Sequence, residues 1–228
     1  MNQRMIVLKQ GILILIAVTL WGGCTKKPAT PPLPNPGPQP AAPFNNIVVS
    51  GYSKITLVAG AANKIDTIFG AIIPHIRKHT LYLDGAGQAT LDVNDLDTLI
   101  SNGATEIDAP SNLNLHHVVI VGNGVSHMNL NLTASDSVCM LSNGAGPYTL
   151  TGSTPELHVY VNGVADFHGF GMISQNCTVS LAGAGMEEVY ASNSITAFIA
   201  GDGIVYYKGN PPTVNPVFIT GHGQLIKR

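Results

Sequence analysis

The sequence is poor in charge. Asp, Glu, Lys and Arg make up 11% of its 228 residues, and no Lys or Arg occurs from His79 to Tyr207. A nucleic-acid surface needs cations to neutralise phosphates, so nucleic acid is excluded as a partner. Long apolar runs are missing as well. The one at Gly11–Leu20 is too short to span a bilayer with certainty as a helix. The acidic residues lack the loop signature of a calcium site. Enzymatic options narrow too, because a polysaccharide lyase needs a basic residue to take a proton and the repeats offer none before Lys208.

What is present begins at the N-terminus. Arg4 and Lys9 precede or abut the apolar run, and Trp21-Gly22-Gly23-Cys24 follows it. A basic segment, a short apolar segment and small residues before a cut make a secretory signal, assigned here to residues 1–23. Cys24 behind two glycines resembles the lipobox of bacterial lipoproteins, in which the cysteine is lipidated and becomes the first residue. Residues 24–44 form a linker that carries eight of the fifteen prolines. Such a stretch favours extended polyproline II at about 3.1 Å per residue and suits a spacer between anchor and domain. Residues 45–228 are one domain's worth of chain. Without Arg4 and Lys9, nine cations stand against thirteen carboxylates, a net charge of −4.

That domain repeats. Gly-x-Gly or a close variant begins at Gly85, Gly103, Gly122, Gly144, Gly163, Gly183, Gly201 and Gly221, spaced 18 to 22 residues apart. A period near twenty signals a stacked coil. Each repeat runs glycine corner, short strand, polar turn, second strand. Four residues before each next glycine stand Leu99, Val118, Met140, Val159, Val179, Ala197 and Val217. Two residues on stand Ser101, Ile120, Ser142, Val161, Leu181, Ile199 and Ile219. Side chains alternate along a strand, so both columns face one way, and their apolar character assigns them to the interior. Glu187 is a misfit at an inward position, which suggests a register slip of one there. The fold class is therefore all-β: a single parallel β-solenoid with rungs of about twenty residues.

A stacked coil leaves two open ends that need caps. Ile65, Ile68, Phe69, Ile72, Ile73 and Ile76 follow helical spacing, with Asn63 as N-cap and Pro74 as terminator. This predicts a short N-terminal capping helix near 64–73. Lys227 and Arg228 place charge on the last strand, a guard against edge pairing.

The closing stretch GDGIVYYKGNPPTVNPVFITGHGQLIKR, residues 201–228, together with GAGMEEVYAS and VNGVADFHGF, resembles the GIN head domain of the auto-transporter adhesin family of bacterial secreted proteins and lipoproteins. The resemblance covers residues 45–228. It implies a right-handed parallel β-solenoid and almost nothing about chemistry, since the family is named by analogy with adhesins, and it carries no catalytic motif onto this chain; a binding or adhesion module is expected from the anchor, the spacer and the solenoid.

The chemistry within the repeats is sparse. Asp92, Asp95, Asp97 and Asp108 cluster in the first two rungs and are the carboxylates that suggest a carbohydrate-active enzyme; turns and solvated strand faces are the favoured account of them. His117, Cys139 and His158 fall in one outward column, and imidazole with thiolate suits zinc or copper(I). A fourth ligand is missing, so no metal or other cofactor is expected. A second column holds His127, Thr149, His168 and Glu188, in which His168 and Glu188 are placed to pair. Cys139 and Cys177 sit two rungs apart with opposite parity, which is too far for a disulfide. Ile100, Val119, Leu141, Tyr160, Phe198 and Phe218 make an apolar column that alternates with the core and so faces out. Either the chain's own segment 46–80 covers this stripe, or it is an interface.

These readings describe a non-enzymatic lipoprotein of the bacterial cell envelope, held to the membrane by its lipid. Thr25 behind the cysteine, where Asp would retain the protein at the inner membrane, favours the outer membrane. Its partner would be an envelope protein, a glycan or a second copy; a purely structural envelope role is the other outcome. Cys24→Ser is expected to abolish lipidation and membrane association, read by detergent partitioning and intact mass. A variant still lipid-modified and membrane-bound would refute the assignment.

Overall fold

The computed structural model describes residues 43–215 and 217–228. The expected signal peptide, Cys24 and the linker up to residue 42 lie outside the described residues. Among those described there is no helix. Twelve strands follow one another: β1 (Asn46–Ala59), β2 (Lys64–Gly70), β3 (Ile73–Arg77), β4 (Thr80–Val93), β5 (Thr98–Ser142), β6 (Pro147–Gly163), β7 (Asp166–Gly183), β8 (Met186–Gly201), β9 (Ile204–Lys208), β10 (Thr213–Val214), β11 (Phe218–Gly221) and β12 (Gln224–Lys227). Several are long because they continue through corners.

The period read from the glycines is the period of strand pairing. Cys139 pairs with His158, His158 with Thr178 and Thr178 with Thr196, all in parallel. The sheet runs β12-β9-β8-β7-β6-β5-β1-β4-β2 and is open, with β10 and β11 on β8 and β3 on β4. The inward columns are where alternation put them. Leu99, Val118, Met140, Val159, Val179 and Ala197 are buried, as are Ser101, Ile120, Ser142, Val161, Leu181 and Ile199. The pattern fails only on the last rung, where Val217 is half-buried and Ile219 exposed, because no further rung lies beyond them. The core begins at Phe44, one residue before the boundary drawn from composition.

The first rung in the chain is not the first in the stack. β1 lies between β4 and β5, parallel to both: Gly51 pairs with Gly85 on one side and with Gly103 on the other. The chain therefore starts inside the stack, leaves it, returns outside β1 as β4, and crosses back to begin β5. β1 has the grammar of every other rung, with Ile47 and Val49 buried ahead of Gly51 and Ile55 and Leu57 buried after it.

The expected capping helix is instead β2 and β3, both antiparallel to β4. The helical spacing of the isoleucines has a different cause. A bulge between Ile65 and Thr67 inserts one residue, so Ile65 opposes Leu91 and Ile68 opposes Ala89. Both therefore face the core although three residues separate them. Ile76, opposite Leu81, resumes the inward face. The outer edge of β4 has unpaired backbone groups that a helix could not satisfy and a strand can, and β-branched isoleucine suits a strand. Asn63 is not an N-cap. Its amide donates to the carbonyls of Phe44 and Asp95, and its side-chain oxygen accepts from the backbone N–H groups of Asn94 and Asp95. It ties the start of β2 to the turn after β4.

Gly183 shows why the corners are glycine. It has φ +149°, and a Cβ there would stand 2.0 Å from the carbonyl oxygen of Gly163. The rungs touch backbone to backbone at this corner, leaving no room for a side chain.

Glu187 does not mark a register slip. It pairs in order with Phe167 and Val205 and points inward, 0% exposed, with neither carboxyl oxygen hydrogen-bonded among the described residues. Burial, reinforced by Asp166, pushes its pKa up to about 8 from the ordinary 4.5. The buried carboxyl is thus neutral at and below neutral pH.

Val179→Asp places an unpaired charge in a narrow interior and is expected to cost several kcal/mol, whereas Thr178→Asp on the outward face should cost less than about 1 kcal/mol; thermal melts separate them, and equal losses would overturn the register. For Glu187, the folded pKa lies above the unfolded one, so its protonated form favours the fold. Stability should fall as pH rises from about 4.5 to about 8, by an amount on the order of 5 kcal/mol. In Glu187→Gln that component of the pH dependence should vanish, as read by denaturant melts of both proteins from pH 4 to 9.

Candidate binding surface

The outward face of the stack carries three adjacent columns ahead of the glycine corner. Side chains in one column stand about 4.8 Å apart, so each touches its counterpart on the next rung. Nearest the corner is an amide ladder. Asn123 donates to Asn102 at 3.0 Å, Asn143 to Asn123 at 3.1 Å and Asn162 to Asn143 at 3.1 Å. Next lies the apolar stripe, in which Val48 pairs with Ile100, Leu141 with Tyr160, Ser180 with Phe198 and Phe198 with Phe218. The third column contains Cys139, His158, Thr178 and Thr196.

The stripe is not covered by residues 46–80. Those residues make β1, β2, β3 and the start of β4, so they lengthen the ladder instead of lying across it. Tyr82 pairs with Val48, and His75 stacks on Tyr82 with ring centroids 4.7 Å apart. Toward the other end the stripe opens. Tyr160, Phe198 and Phe218 are exposed, while Ile100 and Leu141 are half-buried. Phe198 and Phe218 stack at 5.3 Å with their rings nearly parallel. Val214 and Ile219 stack on the buried Ile195 and Ile199 and belong to the inward columns; they are exposed because they lie on the last rung.

Val119 does not stand in the stripe. The corner glycine of its rung is Gly124, not Gly122: a Cβ on Gly124 would meet the Gly103 carbonyl at 2.7 Å, and a Cβ on Gly144 would meet the Gly124 carbonyl at 2.0 Å. Gly122 lacks a side chain for another reason, since the hydroxyl of Tyr148 occupies the place of its Cβ. The columns on this rung therefore shift by two. Val121 takes the stripe position, and Val119, whose N–H bonds the Asp97 carbonyl, lies in the column of Cys139. The signal was present in the spacing, because Gly103, Gly124 and Gly144 are more evenly spaced than Gly103, Gly122 and Gly144.

The same shift separates the candidate metal ligands. Cys139 and His158 are neighbours, but Val119 occupies the place expected for His117. Among the described residues no group of three His, Cys, Asp or Glu is placed to hold a metal ion. Burial raises the pKa of the Cys139 thiol, which disfavours the thiolate a soft metal needs. His158 is half-buried with its ring against Tyr160, and its Nδ1 is without a partner among the described residues. His127 likewise leaves its expected column to Asn129, which pairs with Thr149. His168 and Glu188 do pair, at 3.1 Å. Cys139 and Cys177 are free, with Cys177 buried.

The four aspartates serve structure. Asp92 pairs with Lys64 at 2.8 Å and Asp108 with Lys54 at 3.5 Å. Asp97 accepts from the Asn45 amide, and Asp95 accepts from the Leu96 N–H. Glu187 has a raised pKa suited to an acid, yet it faces the sealed core and cannot reach a substrate.

Comparison with known proteins agrees with this architecture. The family model described as "Putative auto-transporter adhesin, head GIN domain" matches residues 43–211. Among solved structures, a putative adhesin from Bacteroides fragilis is similar at a TM-score of 0.73 and 19% identity, covering 82% of this chain and 93% of that one. A putative adhesin from Parabacteroides distasonis is similar at 0.62 and 19%, over 82% and 94%. A structure from the same organism named as a putative lipid binding protein is similar at 0.60 and 16%, over 82% and 93%. At these identities the likeness concerns the fold alone. No curated protein matches.

Proposed function

The chain belongs to the head GIN domain family, and from that membership we propose that it is a non-enzymatic adhesion module of the bacterial envelope. In this reading its parallel stack winds as a right-handed β-solenoid, as parallel crossovers generally do. Cys24 carries the lipid that holds it to the outer membrane, and the proline-rich linker spaces the domain from the bilayer. The observation that carries the reading is the exposed aromatic end of the stripe. Phe218 is 59% exposed and Phe198 41%, and such a patch is seldom left to water. Large aromatic side chains in this setting act as anchors for a partner surface. Another envelope protein or a second copy of the chain fits that chemistry. The engagement of Asp92, Asp95, Asp97 and Asp108 in ion pairs and turns supports the absence of hydrolytic chemistry.

The test replaces both anchors. Phe198→Glu with Phe218→Glu is expected to keep the circular dichroism spectrum and to lose self-association in sedimentation, or retention of envelope extracts on the immobilised protein. A folded double variant that keeps every association of the parent would remove this face from the function.

A further inference from the structure

On the other side of the glycine corner lies a groove of about 610 Å³ that the adhesion stripe does not use. Its residues come from rungs β4, β1, both passes of β5, and β6. At about 4.8 Å per rung this spans close to 20 Å. The volume falls within the range of small-ligand sites, about 300–1,000 Å³.

Tyr52 dominates one wall. It is 76% exposed, and its neighbours on the two adjoining rungs are Ala86 and Ala104. Elsewhere a ladder position is shielded by the side chains above and below it. Here both neighbours are truncated to methyl groups, so both faces of the ring are bare. The exposed ring offers a flat apolar platform with a polar hydroxyl at its tip.

The neighbouring row, two residues further along each strand, is polar apart from Pro147. Gln88, Lys54 and Glu106 are ladder neighbours, and His127 and Pro147 extend the row along the groove. Lys54 bonds Glu106 at 2.5 Å and lies 3.5 Å from Asp108, so the cation is neutralised in place. The hydroxyls beneath are already engaged inside the fold: Ser53 donates to the Gly85 carbonyl, and Thr105 and Ser126 both bond Ser101. The groove thus presents amide, carboxylate and imidazole groups at its rim without an unpaired cation. It has no free sheet edge either, because the rungs that build it are paired on both sides, so an extended peptide could not add as a strand.

We propose that this groove binds a neutral oligosaccharide chain lying along the stack. The C–H face of one sugar ring would rest on Tyr52, and its hydroxyls would bond Gln88, Glu106 and His127. The side chains are the complement of such a ligand: one apolar plate, several donors and acceptors, and paired charge that gives no preference for a polyanion. The site is separate from the aromatic stripe.

The experiment uses the full-length protein and three named probes, maltohexaose, laminarihexaose and chitohexaose, with a sulfated heparin hexasaccharide as the charged comparison. Saturation-transfer NMR and calorimetry are expected to show binding of at least one neutral hexasaccharide. Tyr52→Ala should weaken it at least tenfold at an unchanged melting temperature. Ala104→Arg, which fills the groove beside the ring, should do the same. Absence of binding for all three neutral probes at millimolar concentration overturns the proposal. So does binding that survives Tyr52→Ala, or a preference for the sulfated probe. Because the adhesion reading is tested at Phe198 and Phe218, either can fail while the other stands.

Discussion

No rung of this molecule can satisfy its own backbone. Every N–H and C=O that points along the stack needs a partner on a neighbouring rung, about twenty residues away in sequence from β5 onward and farther for β1. The fold depends on that one requirement. It explains why the repeat length hardly varies, since a rung must close its circuit in register with the next. It also explains why the two ends are treated differently. At one end β2 and β3 turn antiparallel to β4 and pair its outer edge. At the other, β10, β11 and β12 are left as the edge, with Lys227 ending β12 and Arg228 just past it. Charge on an exposed edge strand opposes indiscriminate pairing.

Stacking in register also decides the side-chain chemistry. Equivalent positions lie one above another, so each column must be compatible with itself. Asn102, Asn123, Asn143 and Asn162 meet this by donating in sequence. The inner columns meet it with aliphatic groups. Ser101 shares its hydroxyl with Thr105 and Ser126, a small polar knot within the core. Glu187 has no such partner, and burial answers by keeping it protonated. The outward surfaces are then set by what each column omits: the aromatic stripe ends uncovered where the stack ends, and Tyr52 stands bare where its neighbours are alanine.

Much of this was legible because alternation and repetition are local rules. The inward columns, the outward stripe, the pairing of His168 with Glu188 and the opposed faces of Cys139 and Cys177 all follow from parity along a strand. A local pattern misleads where it has two physical causes. Spacing of three among the isoleucines fits a helix, but a bulge between Ile65 and Thr67 produces the same spacing in a strand. Gly122 and Gly124 form one Gly-x-Gly, and only the contacts with Gly103, Gly144 and Tyr148 distinguish the corner from the cavity-maker. With Gly124 as the corner, Val119 leaves the stripe and His117 leaves the column of Cys139.

The sequence alone determined the all-β character, the twenty-residue period and which residues face the interior, because these depend on neighbours two or twenty positions apart. Tertiary structure decided the order of the rungs. β1 lies between β4 and β5, and nothing in a periodic sequence says which repeat stacks on which, since every rung presents the same pairing edge. That order places Tyr52 between Ala86 and Ala104 and sets Lys54 against Glu106. The groove therefore exists only because a rung early in the chain is inserted between two later ones.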